Sequence, residues 1–260
     1  MKIATFNING IKARIEALPA WLDTAEPDVV LLQEIKSVDE GFPAEIFEER
    51  GYNVETHGQK SFNGVAILSK LPLEDVSRGL AGDEDDEQAR YIEATVVGER
   101  DAVRLCGLYL PNGNPVPGPK YDYKLAWMDR LRARAQELLL EETPFLMAGD
   151  YNIIPQAEDA AKPDSWRDDA LFRPESREKW RQLVNLGLTD AFRARTQGPE
   201  HYSFWDYQAG AWNKNNGIRI DHFLLCPYTA DRLRDCQIDK HVRGGEKPSD
   251  HVPVWVDLDL

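Results

Sequence analysis

Apolar residues come in short runs along this chain, and polar residues break those runs at their ends. Runs at 2–8, 28–34, 52–57, 64–70, 91–97, 103–110, 145–151, 220–226, 236–242 and 252–259 are rich in Val, Ile, Leu, Phe and Tyr. Their length and composition predict strands. Residues 121–142 follow another rhythm. Leu125, Met128, Leu131, Ala135 and Leu138 recur at spacings of three and four, with Arg130, Arg132, Arg134 and Glu137 between them. That pattern predicts an amphipathic helix. Residues 11–25, 43–50 and 174–186 also read as helical, the last with Pro174 and Glu175 in its first turn and Gly187 as a stop. Helices separate some strands, while turns at Gly51, Asn63-Gly64, Leu71-Pro72 and Gly98 join others. The mixed order predicts an α/β fold of two packed sheets flanked by helices, not a doubly wound parallel sheet. No linker divides residues 1–260, so a single domain is expected, with 111–119 and 155–173 as excursions from it.

The strand ends carry the candidate chemistry. Phe6-Asn7-Ile8-Asn9-Gly10, Leu32-Gln33-Glu34 and Ala148-Gly149-Asp150-Tyr151-Asn152 each close a run that should be buried, and Ser249-Asp250-His251 precedes the final run. Repeated delivery of Asn, Asp and Glu predicts one shared polar site at a sheet edge. Glu34 suits a hard cation such as Mg²⁺, or Mn²⁺ in its place, with Asn9 and Asp250 as neighbours. It reads equally as a cap of the turn before Lys36. Asp150 and Asn152 would project to one side of an extended strand, a carboxylate and an amide suited to activating water. Alone, they also read as an Asx turn before Pro155. Asp221 puts a charge into the apolar run IRIDHFLL, and a buried charge needs a partner. His251 is one candidate: a carboxylate on one ring nitrogen would raise its pKa and free the other N–H for a phosphate oxygen. Arg219 is another. His222 is the rival imidazole, but strand alternation turns it away from the face of Asp221. Tyr109 ends a strand and could offer its hydroxyl to phosphate, or serve only as an edge tyrosine. Nucleophile-elbow, P-loop, Rossmann and zinc-spaced patterns are missing from the sequence. The remaining inventory suits attack of water on a phosphodiester.

Charge complicates that reading. A formal net charge of −14 argues against a phosphate-bearing partner. The charge is uneven, however. Asp83-Glu84-Asp85-Asp86-Glu87 concentrates acid in one loop, whereas Lys214, Arg219, Lys240, Arg243 and Lys247 lie near the candidate site in sequence. Lys60, Arg90, Arg219 and Lys247 are the expected local basic rim. Cys106, Cys226 and Cys236 lack metal spacing, and Cys106 and Cys226, inside apolar runs, read as reduced core residues, which points to the cytosol. No apolar run reaches the ~18 residues of a membrane span, and the N-terminus does not read as a secretory signal.

The segments FNINGIKAR, DVVLLQEIK, YNVETHGQKSFNGVAILSK, LYLPNG, AGDYNIIP, SFWDY, NNGIRIDHFLL and EKPSDHVPVW keep a recognisable order from Lys2 to the end. Together they resemble exonuclease III and the AP endonucleases of the DNase I-like endonuclease/exonuclease/phosphatase superfamily. GDxN and SDH are shared across the superfamily, while GQK and EKPSDH are specific to the exonuclease III branch. The resemblance implies a four-layer α/β sandwich of two mixed sheets flanked by helices. It implies a Mg²⁺-dependent monomer, cytoplasmic or at the nucleoid of a bacterium. Its partner would be double-stranded DNA with abasic sites or 3′ ends. Carried over, Asn7 would orient the Asp–His machinery and Glu34 would be the principal metal ligand. Tyr109 would contact the scissile phosphate. Asp150, with Asn152 beside it, would activate water. Asp221 would orient His251, which would stabilise charge on the phosphate. Asp250 would serve the metal or the leaving group. Phe204, Ile218 and Ile220 would wall a pocket for a flipped, base-less sugar; without the resemblance they read as core. Asn9 stands where some members have Asp, and 112–119 and 156–173 diverge apart from a LFRPES-like stretch. Two rival readings are a phosphodiesterase for lipid or inositol phosphates, which the acidic charge favours and GQK and EKPSDH disfavour, and an inactive DNA-binding module. Retention of Glu34, Asp150, Asn152, Asp221 and His251 argues against the second.

Overall fold

The computed structural model describes residues 1–98 and 101–260. The described strands form two six-stranded sheets. The first sheet contains β1 (Lys2–Asn7), β2 (Val29–Gln33), β3 (Asn53–His57), β4 (Val65–Ser69), β11 (Leu233–Ile238) and β12 (Val254–Leu258), in the order β11-β12-β1-β2-β4-β3. The second contains β5 (Leu73–Arg78), β6 (Tyr91–Val97), β7 (Ala102–Tyr109), β8 (Phe145–Asp150), β9 (Thr189–Asp190) and β10 (Asp221–Leu225), in the order β5-β6-β7-β8-β10-β9. Among the described residues, only β1–β2 and β7–β8 pair in parallel, so both sheets are mixed. The helices are α1 (Ala17–Ala25), α2 (Ala44–Glu48), α3 (Pro119–Leu140), α4 (Pro174–Val184), α5 (Ala191–Arg195) and α6 (Pro227–Ala230).

Strand alternation sorts the side chains into three apolar layers. Ile3, Val29, Leu31, Leu105, Leu146, Ala148, Phe223 and Leu225 fill the space between the sheets. The alternate residues of the first sheet, Ala4, Phe6, Val30 and Leu32, pack outward with Trp21 and Leu22 of α1 and Phe47 of α2. Those of the second, Cys106, Met147 and Leu224, pack outward with Trp127 and Leu131 of α3 and Trp180 of α4. Burial of each such large side chain contributes about 1.5–3 kcal/mol. The result is the expected four-layer sandwich. Gly149 permits a close approach in the second sheet: a Cβ there would lie 1.8 Å from the Leu108 carbonyl oxygen.

Several element boundaries differ from the sequence expectation. The 11–25 stretch divides into a 3-10 turn at Ile11–Arg14 and α1. The strand expected at 236–242 lies at 233–238, followed by a 3-10 turn at Lys240–Gly244. Strands β5 and β9 were not expected. Only Leu73 and Val76 are partly buried in β5, so its polar edge carries no apolar run. Among the described residues, no helix is long and apolar enough to cross a membrane.

Candidate active site

The same alternation that packs the inter-sheet core builds the site. Ile3 and Thr5 face inward on β1, and Asn7 continues that face where the strand ends. Leu146, Ala148 and Asp150 do the same on β8, and Asp221, Phe223 and Leu225 do so on β10. Because β10 runs antiparallel to β8, Asp221 lies opposite Asp150. Tyr109 ends β7, opposite Asp150 in the parallel pairing. Polar residues therefore replace apolar ones at one end of the inter-sheet layer.

Asn7 joins the two carboxylates. Its Nδ2 donates to Glu34 Oε1 at 3.0 Å and to Asp150 Oδ2 at 2.9 Å. Asn7 is wholly buried, and its Oδ1 accepts the backbone N–H of Asn9. His251 Nδ1 donates to Asp221 Oδ2 at 2.9 Å, and Ser203 Oγ donates to the same oxygen at 2.6 Å. The His251 Nε2 lies 3.6 Å from Asp150 Oδ2. Burial alone would lower the His251 pKa, but the charges of Asp221 and Asp150 raise it well above its ordinary value. Burial raises the Asp150 carboxyl above the ordinary carboxylate range; the His251 charge opposes this and the Asp221 charge adds to it. Asp150 and His251 are thus a buried acid–base pair beside a fixed orienting carboxylate.

The opposite side of the site attracts cations. Lys36 Nζ lies 3.0 Å from Glu34 Oε2 and 2.6 Å from Asn9 Oδ1. Asn9 Nδ2 donates to Asp250 Oδ1 at 3.0 Å. Burial would raise the Glu34 pKa, but the Asn7 hydrogen bond and the Lys36 charge keep it below its ordinary value. An ionised carboxylate with amide and carboxylate oxygens around it fits a hard cation, and the Lys36 ammonium already lies between two of those oxygens. Asp150, Asp221 and His251 also bring ligand-type atoms within 4.8 Å of one another. The oxygens of Asp150 and Asp221 are taken by hydrogen bonds from Asn7, Asn152, Ser203 and His251. The Glu34 oxygens likewise accept from Asn7 and Lys36, but there one of the partners is already a cation, so the Glu34 side has the donors that suit one.

Asn9, Glu34, Lys36 and Asn152 all have left-handed backbone, with φ between 46° and 51°. Such conformations are costly for residues other than glycine and gather at functional sites. The turn at Asn152 corrects one expectation. Asp150 and Asn152 do not meet by alternation along an extended strand, because the strand ends at Asp150. They meet by a turn: the Asn152 N–H donates to Asp150 Oδ1 at 2.8 Å.

Arg90 buttresses Tyr109, with its guanidinium 4.8 Å from the ring centre and an N–H on the Tyr109 carbonyl. Burial, then the Glu34 and Asp150 charges, raises the Tyr109 pKa. Lys60 is exposed on the segment whose Asn63 and Gly64 carbonyls accept the Lys36 and Ile35 N–H groups. Lys247 is exposed shortly before Asp250. The Phe204 ring packs edge-on against His251 at 4.9 Å. Ile218 and Ile220 lie behind it, each 2% exposed, in a cluster with Leu171 and Phe172.

Arg219 does not belong to the rim. It is 1% exposed, with Nε on Asp159 at 2.7 Å and Nη2 on Asp190 at 2.9 Å. Its Nη1 lies 3.0 Å from His222 Nδ1, which must accept because a guanidinium only donates. Burial and that positive charge hold the His222 pKa down to about 4. The rival imidazole is therefore a neutral structural group facing Trp180 and Tyr151. Sequence reasoning gave no role to Ser203, Lys36 or Ser249, whose Oγ donates to the Asn7 carbonyl. A hydroxyl lodged in the aromatic run Tyr202-Ser203-Phe204-Trp205 was the available signal for the first.

Residues 4–251 match the Endonuclease/Exonuclease/phosphatase family. The chain is 37% identical to the exodeoxyribonuclease III of Haemophilus influenzae, over 99% of this chain and 100% of that one. Among solved structures, it is similar to an AP endonuclease from Archaeoglobus fulgidus, with TM-score 0.94, 35% identity and complete coverage of both chains. It is also similar to a 3′ phosphatase from Neisseria bound to a product DNA hairpin, with TM-score 0.95, 34% identity and complete coverage of both.

Proposed function

The chain belongs to the endonuclease/exonuclease/phosphatase family and is a DNA repair nuclease, and from that premise we propose that it is a Mg²⁺-dependent enzyme acting 5′ to abasic sites and at 3′ ends of duplex DNA. The observation that carries this reading is Asn7, which holds both Glu34 and Asp150 beside the Asp221–His251 pair. We further propose a monomer, acting in the cytoplasm.

Asp150 is placed to take a proton from the attacking water, and its raised pKa makes it a base matched to neutral pH. Asn152 and Asn7 fix its two oxygens. The charged His251 ring points Nε2 into the same space, where it would donate to a non-bridging phosphate oxygen. Tyr109 would hold a second oxygen. Water attacks phosphorus in line, and the bond to the 3′ oxygen of the preceding nucleotide breaks. That oxygen takes a proton from solvent and Asp150 returns its own to solvent, leaving a 3′ hydroxyl and a 5′ deoxyribose phosphate. Glu34, with Asn9 and Asp250, would hold the metal; when bound, Mg²⁺ supplies Lewis-acid neutralisation of the charge that develops on phosphate. Phe204, against His251, would form the accessible wall for a base-less sugar, supported from behind by Ile218 and Ile220.

The test is incubation with a duplex carrying one abasic-site analogue, with Mg²⁺ or with chelator, followed by product sizing and end analysis. Single incision 5′ to the lesion in Mg²⁺, suppressed by chelator, is expected. Hydrolysis of inositol or lipid phosphates without cleavage of DNA would overturn the reading.

A further inference from the structure

A buried amine lies behind the Asp150–Asn152 turn and takes no part in the chemistry above. Lys124, on α3, has no exposed surface. Its Nζ donates to the Pro111 carbonyl at 3.0 Å and to the Asn152 carbonyl at 2.7 Å. Among the described residues, no carboxylate pairs with it. An ammonium is an expensive group to bury on such terms. The two carbonyls it joins belong to the segments leaving β7 and β8, which carry Tyr109 and Asp150.

The geometry of the join is tight. Gly113, at φ +92°, sits over the lysine stem, and a Cβ there would lie 2.6 Å from Lys124 Cδ. Asn152 Nδ2 donates to the Leu110 carbonyl at 2.8 Å, and Asn112 Nδ2 donates to Asn152 Oδ1 at 3.3 Å. Asn152 itself is left-handed, a conformation that persists only where its surroundings over-determine it. Its N–H holds Asp150 Oδ1. A continuous set of hydrogen bonds thus runs from the amine through Asn152 to the reacting carboxylate.

We propose that Lys124 is a positioning residue for the nuclease reaction: it locks Asn152 in its left-handed turn and so fixes the Asp150 carboxylate toward the attacked phosphate. This rests on the reading of Asp150 and Asn152 as the catalytic turn. The test is a cycle of Lys124→Met, Asn152→Ala and the double variant on abasic duplex. Lys124→Met should lower kcat by roughly ten- to a hundred-fold, the scale of a small misplacement of a catalytic group. KM, duplex Kd and the salt slope of binding should stay the same, because the amine is sealed from DNA; a phosphate-contacting lysine would instead reduce that slope by about 0.9. The double variant should be little worse than the poorer single one. The Asn152 amide resonance should shift in Lys124→Met while the His251 ring resonances stay in place. Wild-type kcat in a folded Lys124→Met, additive losses, or a changed salt slope would overturn the assignment. Wild-type kcat in Asn152→Ala would instead overturn the catalytic reading of the turn. Should Lys124→Met not fold, Gly113→Ala displaces the same stem from the other side. It should show the same loss of kcat with KM preserved, and unaltered kcat there would equally overturn the proposal.

Discussion

Single hydrogen bonds decide what each site residue can do. His251 Nδ1 and the Ser203 hydroxyl share Asp221 Oδ2, so the imidazole has one ring orientation and one tautomer. If Asp221 acts only through His251, Asp221→Asn and His251→Asn should each lower kcat by about 10²–10⁴-fold, the range for a positioned acid or base. The double variant should lose little more. Additive losses in kcat would separate the two. The pH profile follows from the same atoms. Burial and Asp221 raise the Asp150 pKa, so the carboxylate needed to accept a proton forms only as pH rises through that raised value. The acid limb of kcat/KM should therefore lie above the ordinary carboxylate range, toward neutrality. The His251 pKa is also raised, chiefly by Asp221 against the opposing effect of burial, so the ring stays charged through neutral pH. A limb near the ordinary Asp value of ~3.9 would remove Asp150 from the role of base.

Elements hold these residues in place, and some of that scaffolding was legible in sequence while some was not. Period-two alternation runs past the last apolar residue of β8, so Leu146, Ala148 and Asp150 share one face. The Asp221 face was legible by the same rule, which also turned His222 away. Edge strand β5 was not legible, because LEDVSR has no buried run to announce it. Arg219 was misread because its partners, Asp159 and Asp190, lie 60 and 29 residues away in sequence. Nor does periodicity reveal that a lysine on an amphipathic helix, Lys124, is wholly buried. The Arg219 cluster yields a stability prediction. Asp159 ends a 3-10 turn at Ala157–Asp159, and Arg219 and Arg193 both donate to its Oδ1. Burial would raise its pKa, but those two charges hold it below the ordinary value. A depressed carboxylate stabilises the fold above its unfolded pKa, and the contribution is lost as pH falls through the folded one. Asp159→Asn should cost about 3–5 kcal/mol at neutral pH, since the buried Arg219 loses the fully buried one of its two carboxylate partners. Urea unfolding would measure this, and a cost below about 1 kcal/mol would show that Asp190 alone suffices.

At the scale of the whole molecule, the formal net charge of −14 must be reconciled with the proposed duplex partner. Part of the acid is internally matched. Asp86 and Asp83 of the acidic loop pair with Arg130 of α3, at 2.7 and 3.9 Å, and Arg130 also donates to the Ala81 carbonyl. Arg104 and Arg134 converge on buried Glu93. Lys60 and Lys247, by contrast, are exposed beside the Glu34 turn and the Asp250 segment, and no ion pair holds either of them among the described residues. Net charge governs long-range approach, while affinity depends on the cations that meet phosphate. Duplex affinity should therefore fall as salt rises, although the protein is acidic. Lys60→Ala and Lys247→Ala should each lower the slope of log affinity against log salt by about 0.9, the effect of one phosphate contact. Neither should change melting temperature, because exposed cations without partners contribute little to stability. Arg219→Met should do the reverse, lowering stability through Asp159 and Asp190 while leaving the slope alone. Fluorescence anisotropy with a labelled duplex, measured across a salt series in Mg²⁺ with an uncleavable abasic analogue, reads each slope directly. If affinity is independent of salt, or both lysine variants keep the wild-type slope, DNA is not held by this rim.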